Sequence, residues 1–421
     1  MSLALSRAHL RSWRDPGSAV AAAVLGAALL AGCDAGQALP GAQDGAGSPS
    51  APDAGTASPD ESSSRAAEVE ATLRPSIANR ADGVAVDTPF DVVAGDGTIS
   101  SLTVTGSGGV GELVGEMAED RWTATGRLEP GTTYQVAAQM QDSTGDTVTR
   151  RTSFSTENLS LDQQTYPSLA PLQGETVGVG MPVVVTFDVP VTDRAGIEEH
   201  LSVQTTPAQT GTWRWLSDTE VHYRPRQYWQ AGTQVTVDVD INSVPAGNGV
   251  YGQESRTVDF TVGDAHIYRV DAARYEMQVF ANDELLRTIP ITTGKAGFIT
   301  RSGTKVIVEK FESRRMNSET VGIPAGSADA YDIDDVQYAM RLTYSGEFLH
   351  AAPWSVGSQG NANVSHGCTG MSTTNAQWLF ELSRRGDVVE YTGTDRPMTL
   401  DNGYGDWNES FKQARAESAL G

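Results

Sequence analysis

A cysteine and two histidines near it are the residues of this chain best placed to do chemistry. Cys368 stands in Val364-Ser-His-Gly-Cys-Thr-Gly-Met-Ser372, and two of the six histidines, His350 and His366, lie within twenty residues of it. A free thiol has a pKa of about 8.5, so little of it is nucleophilic thiolate at neutral pH, and a neighbouring base or positive field must raise that fraction. His350 ends Tyr344-Ser-Gly-Glu-Phe-Leu-His, where a strand's period of two would put Phe348 and His350 on one face and aim the imidazole into a site. His366, on the loop beside Gly367, suits positioning better than proton transfer. Gly367 removes Cβ directly before the thiol, which permits a tight turn and lets backbone N–H groups approach a substrate oxygen. One such oxyanion donor is typically worth about 2.7 to 4 kcal/mol. The competing readings are a buried inert thiol and a hydrogen-bonded structural histidine.

The other cysteine, Cys33, bears on the first. Arg7, Arg11 and Arg14 precede an apolar run from Ala19 to Leu30, which is shorter than the roughly 20 residues a membrane span requires. The run ends in Leu30-Ala-Gly-Cys33, so residues 1–33 resemble a lipoprotein signal peptide with its lipobox, and cleavage would leave Cys33 N-terminal and lipidated. An ordinary signal peptide is the alternative. With Cys33 consumed, Cys368 has no disulfide partner in an oxidising compartment, which points to use. Residues 34–65 are Ala, Gly, Ser, Pro and Asp with almost no large apolar side chain, a tether with a reach of about 30 Å. The expected location is the extracytoplasmic face of the plasma membrane, reached through lipidated Cys33.

Rigid elements must carry the thiol. Residues 66–157 hold short alternating runs such as Ser101-Leu-Thr-Val-Thr, broken by Asp-Gly, Gly-Gly and Pro-Gly turns, and 158–263 repeat the plan with Met181-Pro-Val-Val-Val-Thr-Phe. Leu128-Glu-Pro-Gly-Thr-Thr-Tyr echoes Tyr228-Trp-Gln-Ala-Gly-Thr-Gln about one domain length later. Short strands without helical period predict two tandem immunoglobulin-like sandwiches. Trp122, Trp213, Trp215 and Trp229 are read as core, with a glycan-binding surface as the alternative. Residues 264–397 form a third β-rich domain with one helix capped by Ser372, basic at Arg384 and Arg385, and stopped by Gly386. The formal net charge of -23 repels phosphate backbones, so nucleic acid is excluded as a partner. No zinc spacing, phosphate loop or dinucleotide fingerprint appears, and Asp332, Asp334 and Asp335 lack the glycine and distal glutamate of a calcium loop, so no metal or cofactor is expected.

With His350, fourteen intervening residues and Ser365-His-Gly-Cys368, followed by Ser372-Thr-Thr-Asn-Ala-Gln-Trp and Arg385-Gly-Asp-Val-Val-Glu, the chain resembles the bacterial L,D-transpeptidases. Its layout resembles the actinobacterial type, in which two immunoglobulin-like modules precede the catalytic domain and a tail, here 398–421, packs back. The resemblance implies Cys368 as nucleophile, His350 as general base, the amides of His366, Gly367 and Cys368 as oxyanion donors, and Ser365 as a positioning residue. It implies that Ala351 orients the imidazole through its carbonyl, and it places Met316, Tyr331, Ser345, Gly346 and Trp354 in the substrate cleft. Gly370 departs from the Asn or Arg common in the family, and Ala351 from Ser or Gly.

The implied reaction is thioester acyl transfer from a peptidoglycan tetrapeptide stem to a diaminopimelate amine, giving a 3→3 cross-link. Carbapenem-type β-lactams would be covalent inhibitors. An L,D-carboxypeptidase and a catalytically weak wall-binding spacer lipoprotein are the rival readings.

Overall fold

The computed structural model describes residues 70–421; the leader, Cys33, the whole tether at 34–65 and residues 66–69 of the expected first sandwich lie outside the described residues. The described chain is mainly β. In the first sandwich a four-stranded sheet (Thr72–Pro75, Asp91–Gly95, Arg121–Ala124, Gly115–Ala118) faces a five-stranded one built on Gly97–Gly106, Thr133–Asp142 and Thr147–Thr156. Strict alternation along Thr133–Asp142 buries Tyr134, Val136, Ala138 and Met140 between the sheets. The second sandwich pairs Pro167–Ala170, Val183–Phe187, Glu220–Pro225 and Gly211–Ser217 against Thr176–Val177, Arg256–Val262, Gln234–Val239 and Leu201–Thr206.

The two Gly-Thr turns serve the same purpose in both modules. Gly131 and Gly232 have φ of 59° and 79°, a left-handed conformation that disfavours side chains, and each leads into a central strand. Trp122, Trp213, Trp215 and Trp229 are all buried, so none offers a stacking face to a glycan. A short helix, Arg194–Glu198, interrupts the second sandwich, where no helical period is visible. It is held by Asp193, whose side chain accepts from Gly196 N–H, and by buried Glu198, which accepts from Trp215 Nε1 at 2.8 Å.

The third domain stacks two sheets. One orders Glu284–Pro290, Glu276–Ala281, His266–Asp271, Val388–Thr392 and Gly303–Val306; the other orders Glu309–Asn317, Asp332–Arg341, Phe348–Ala351 and Thr369–Met371. Asn282 and Asp283 form the two-residue turn of the hairpin Glu276–Ala281/Glu284–Pro290 at φ of 49° and 67°, which Asn and Asp tolerate. Tyr268, Met277, Ile289, Met340, Leu349 and Leu379 fill the space between sheets and helix.

The helix runs Thr373–Leu382, with Ser372 Oγ accepting from Asn375 N–H and Ala376 and Leu379 buried. It stops short of Gly386, a correction to the expected end. Ser383 is already extended, at ψ 151°, while its hydroxyl donates back to Leu379 O at 2.6 Å. Arg384 and Arg385 therefore lie beyond the helix, and Arg385 forms a bidentate pair with Glu175 of the second sandwich at 2.7 and 2.8 Å. That junction is close: Gly178 and Gly180 donate to the Arg385 and Gly386 carbonyls, both at 2.8 Å, and Val306, Val308 and Val388 join the core of the second sandwich.

The C-terminal segment closes the junction. Trp407 Nε1 donates to Gly180 O at 2.8 Å, Asn408 exchanges hydrogen bonds with the Thr304 backbone, and Asp406 meets buried His222 at 3.1 Å. The helix Phe411–Ala416, capped by Ser410 and Gln413, packs on the strand Gly211–Ser217.

Candidate active site

His350 lies on the strand Phe348–Ala351, which pairs in parallel with Thr369–Met371 so that His350 stands opposite Gly370. Parallel neighbours need a crossover of a dozen or more residues. The interval between the imidazole and Ser365 is that crossover: the chain leaves at Ala352, turns through the short helix Pro353–Ser355, and returns beside its own starting strand. Cys368 sits where the return begins. Base and thiol are thereby held by adjacent strands of one sheet.

The crossover and the hairpin Glu309–Asn317/Asp332–Arg341 enclose a cavity of about 310 Å³. Cys368, His350, Ser365, His366, Gly370, Trp354, Tyr331 and Met316 all line it. Thr292, Ile333, Val336, Ala352, Ser355 and Val364 complete the wall, six residues with no catalytic signature in the sequence. Ser345, Gly346, Ala351 and Gly367 stand outside the lining. Ser345 Oγ accepts from Asn402 Nδ2 at 2.9 Å, so its hydroxyl is engaged by the tail and not the cleft.

His350 is buried, and its Nδ1 lies 2.7 Å from the Ala351 carbonyl. A carbonyl only accepts, so Nδ1 carries the proton and Nε2 is left as the acceptor. Burial pulls the His350 pKa below its ordinary value, against the Ala351 hydrogen bond, so the ring is neutral at physiological pH. Trp354 stacks on it at 5.9 Å between ring centroids. The Cys368 Sγ–H donates to Gly346 O at 3.4 Å. Burial pushes this thiol up to about 12, the Phe348 N–H and Lys305 lower it, and Glu347 raises it. The resting pair is thus an uncharged thiol and an uncharged imidazole, and the proton must move when substrate arrives.

The loop itself is tightly bonded. Ser365 Oγ donates to the Cys368 carbonyl at 2.6 Å and accepts from Gly367 N–H at 3.1 Å, while Thr300 Oγ1 donates to the Gly367 carbonyl at 2.7 Å. Gly367 has a φ of 125°, which L side chains rarely adopt. Its N–H is engaged by the Ser365 hydroxyl. His366 is packed between Phe298 and Tyr331, at 4.7 and 5.1 Å between centroids, with Nε2 3.5 Å from Asp329 Oδ1. Tyr331 is pushed up to about 12, first by burial and then by the adjacent Cys368, so its phenol stays protonated.

Gly370 has a steric reason. A Cβ there would lie 2.8 Å from Ala352 Cβ and 3.2 Å from Thr292 Cγ2. Asp332 and Asp334 of the acidic stretch are paired with Arg315 at 2.5 and 3.3 Å, and the Ser313 hydroxyl donates to Asp335.

A family described as the L,D-transpeptidase catalytic domain matches residues 265–390, and one described as a bacterial Ig domain matches 81–245, across both sandwiches. Together they define an acyltransferase carried behind immunoglobulin-like modules. The chain is 35% identical over 350 residues to L,D-transpeptidase 2 of Mycobacterium tuberculosis (strain CDC 1551 / Oshkosh), covering 82% of this chain and 85% of that protein. It is 32% identical over 359 residues to L,D-transpeptidase 5 of Mycobacterium tuberculosis (strain ATCC 25618 / H37Rv), covering 83% and 77%. A solved L,D-transpeptidase in complex with imipenem is 39% identical, with a TM-score of 0.48, over 53% of this chain and 97% of the other. The chain belongs to the L,D-transpeptidase family.

Proposed function

We propose that Cys368 and His350 perform thioester acyl transfer between peptidoglycan stem peptides, forming 3→3 cross-links. The observation that carries this is the shared cavity, which is lined both by the thiol and by an imidazole whose Nε2 is left as the acceptor. His350 Nε2 takes the Cys368 proton, and the sulfur attacks the carbonyl of the L-centred residue at position three of a tetrapeptide stem. The amides of His366 and Cys368 stabilise the resulting oxyanion, since that of Gly367 is bonded to Ser365. The C–N bond breaks as His350 returns its proton to the departing D-alanine amine, leaving a thioester. The diaminopimelate amine of a second stem then attacks, His350 accepts its proton, the C–S bond breaks, and Cys368 recovers the thiol. The same sulfur would open a carbapenem ring and remain acylated.

Intact-mass measurement of the chain without residues 1–33, incubated with a carbapenem, tests this. A single adduct is expected, absent from Cys368→Ala; no adduct on the unsubstituted protein would overturn it. Incubation with a disaccharide tetrapeptide then separates dimer from tripeptide, and tripeptide alone would assign L,D-carboxypeptidase activity instead. We further propose that Cys33 is lipidated and holds the enzyme at the extracytoplasmic membrane face. Fatty-acid labelling that survives Cys33→Ala would refute that.

A further inference from the structure

Beneath the nucleophile loop lies a buried ionic cluster that the acyl transfer does not use directly. Lys305 is fully buried, with Nζ 2.5 Å from Glu347 Oε2. Arg301 Nη1 is 2.8 Å from Glu347 Oε1, and its N–H donates to the same oxygen at 3.1 Å. The cluster touches the catalytic loop from several sides. Glu347 lies between Gly346, whose carbonyl accepts the thiol proton, and Phe348, whose N–H approaches the sulfur. Its Cγ is 3.8 Å from where a Cβ on Gly367 would stand. Lys305 Nζ lies 3.6 Å from the Tyr391 ring centroid, and Tyr391 OH bonds Thr369, the residue after Cys368, at 2.7 Å.

A buried carboxylate beside a thiol opposes thiolate formation, and a buried ammonium favours it. We infer that Lys305 is a positioning residue for acyl transfer, its ammonium cancelling the Glu347 carboxylate at the Cys368 sulfur so that a thiolate can form when His350 accepts the proton. This rests on Cys368 being the nucleophile. Glu347 supplies the mechanical half, tying the strand that carries His350 to the strand Gly303–Val306.

The other groups facing the sulfur do not substitute for Lys305. His350 is neutral, and Tyr391 and Tyr331 are held protonated by burial. His366 faces Asp329, which Lys295 already pairs at 2.6 Å. The cluster therefore sets the local field, with two cations against one anion.

Burial pulls Lys305 down to about 8, with the Glu347 pairing acting against it, so the ammonium is present at neutral pH. The test is the rate of iodoacetamide alkylation at Cys368 at neutral pH, in the chain without residues 1–33, for wild type, Lys305→Met, Glu347→Gln and the double variant. Lys305→Met should slow alkylation by roughly 10- to 1,000-fold and Glu347→Gln should speed it, the range for one close charge. The double variant keeps the wild-type balance and should return near the wild-type rate. A purely structural role predicts the same sign in both single variants, and that result, or unmoved rates, overturns the inference. Removing one partner of a buried pair often destabilises while neutralising both is tolerated. If Lys305→Met fails to fold, Glu347→Gln must therefore react faster than the double variant, and equality overturns the inference. Carbapenem adducts persisting in Cys368→Ala, alongside the opposed rate changes, would sink the proposed function and leave the field effect standing.

Discussion

The C-terminal strap makes the junction between the second sandwich and the catalytic domain sensitive to alkaline pH. His222 and Asp406 are both buried, 3.1 Å apart, with Glu220 2.8 Å from the other ring nitrogen. Burial works against a charged imidazole, but Asp406 and Glu220 together outweigh it and hold His222 up at about 9, against 6.5 for a free side chain. A folded pKa raised above the unfolded one gives stability that is complete below 6.5 and is lost as pH climbs through 9. At 1.36 kcal/mol per pH unit, the span corresponds to about 3 kcal/mol, counted on the histidine alone so that the pair is not counted twice. The assay is denaturant unfolding of wild type and of His222→Gln/Asp406→Asn at pH 6, 7, 8, 9 and about 10. The stability difference between the two should shrink by about 3 kcal/mol in favour of the variant across that range, with amide protection in residues 404–409, measured against the intrinsic exchange rate at each pH, falling in wild type only. Parallel stability curves between pH 6.5 and 9 would refute the assignment of a protonated His222.

Three further outcomes follow from the site. His350→Gln should retain the fold and slow carbapenem acylation by roughly 10²- to 10⁴-fold, the usual worth of a general base, and an unchanged rate would relocate the base. Gly370→Asn should lower stability by about 1 to 3 kcal/mol in thermal melts, because its Cβ meets Ala352 at 2.8 Å; Gly370→Asn/Ala352→Gly should recover part of the loss, and no recovery would assign it elsewhere. Gly367→Ala meets nothing closer than 3.8 Å, so its cost of about 1 to 3 kcal/mol comes from φ alone; an undiminished melting temperature would show that the loop does not need that conformation.

The sequence makes local features legible and hides those made by distant chain segments. Ser372 announces the helix start because a cap is a contact over three residues. The helix ends three residues before the stop that Gly386 suggests, and what holds Arg385 outside it is Glu175, 210 residues earlier. Gly178 and Gly180 look like turn punctuation, yet a Cβ on Gly178 would stand 2.2 Å from Asp387 N; they are glycine because another domain's backbone lies against them. The wall residues Thr292 and Val336 belong to no motif and enter the site only when the sheet closes.

Glu347 and Lys305 are the sharpest case of this limit, and they also link the strap to the thiol. In Ser345-Gly-Glu-Phe the glutamate has the pattern of a solvated turn, and Lys305 stands among strand residues with nothing to mark it as internal. Each is buried only because the other is present, since an unpaired charge in that position would be costly. Thr304, next to Lys305, exchanges hydrogen bonds with Asn408, two residues from Asp406. One strand thus carries the ammonium on its buried side and the strap on its backbone. Loosening the strap above pH 9 would free the strand that positions Lys305, so the alkaline limit of activity should reflect His222 as well as the Lys305 ammonium, which burial pulls down to about 8. Activity of the His222→Gln/Asp406→Asn variant should then keep the acid limb of its pH profile and lose the steepness of the alkaline one. An alkaline limb of unchanged steepness would separate the strap from the chemistry.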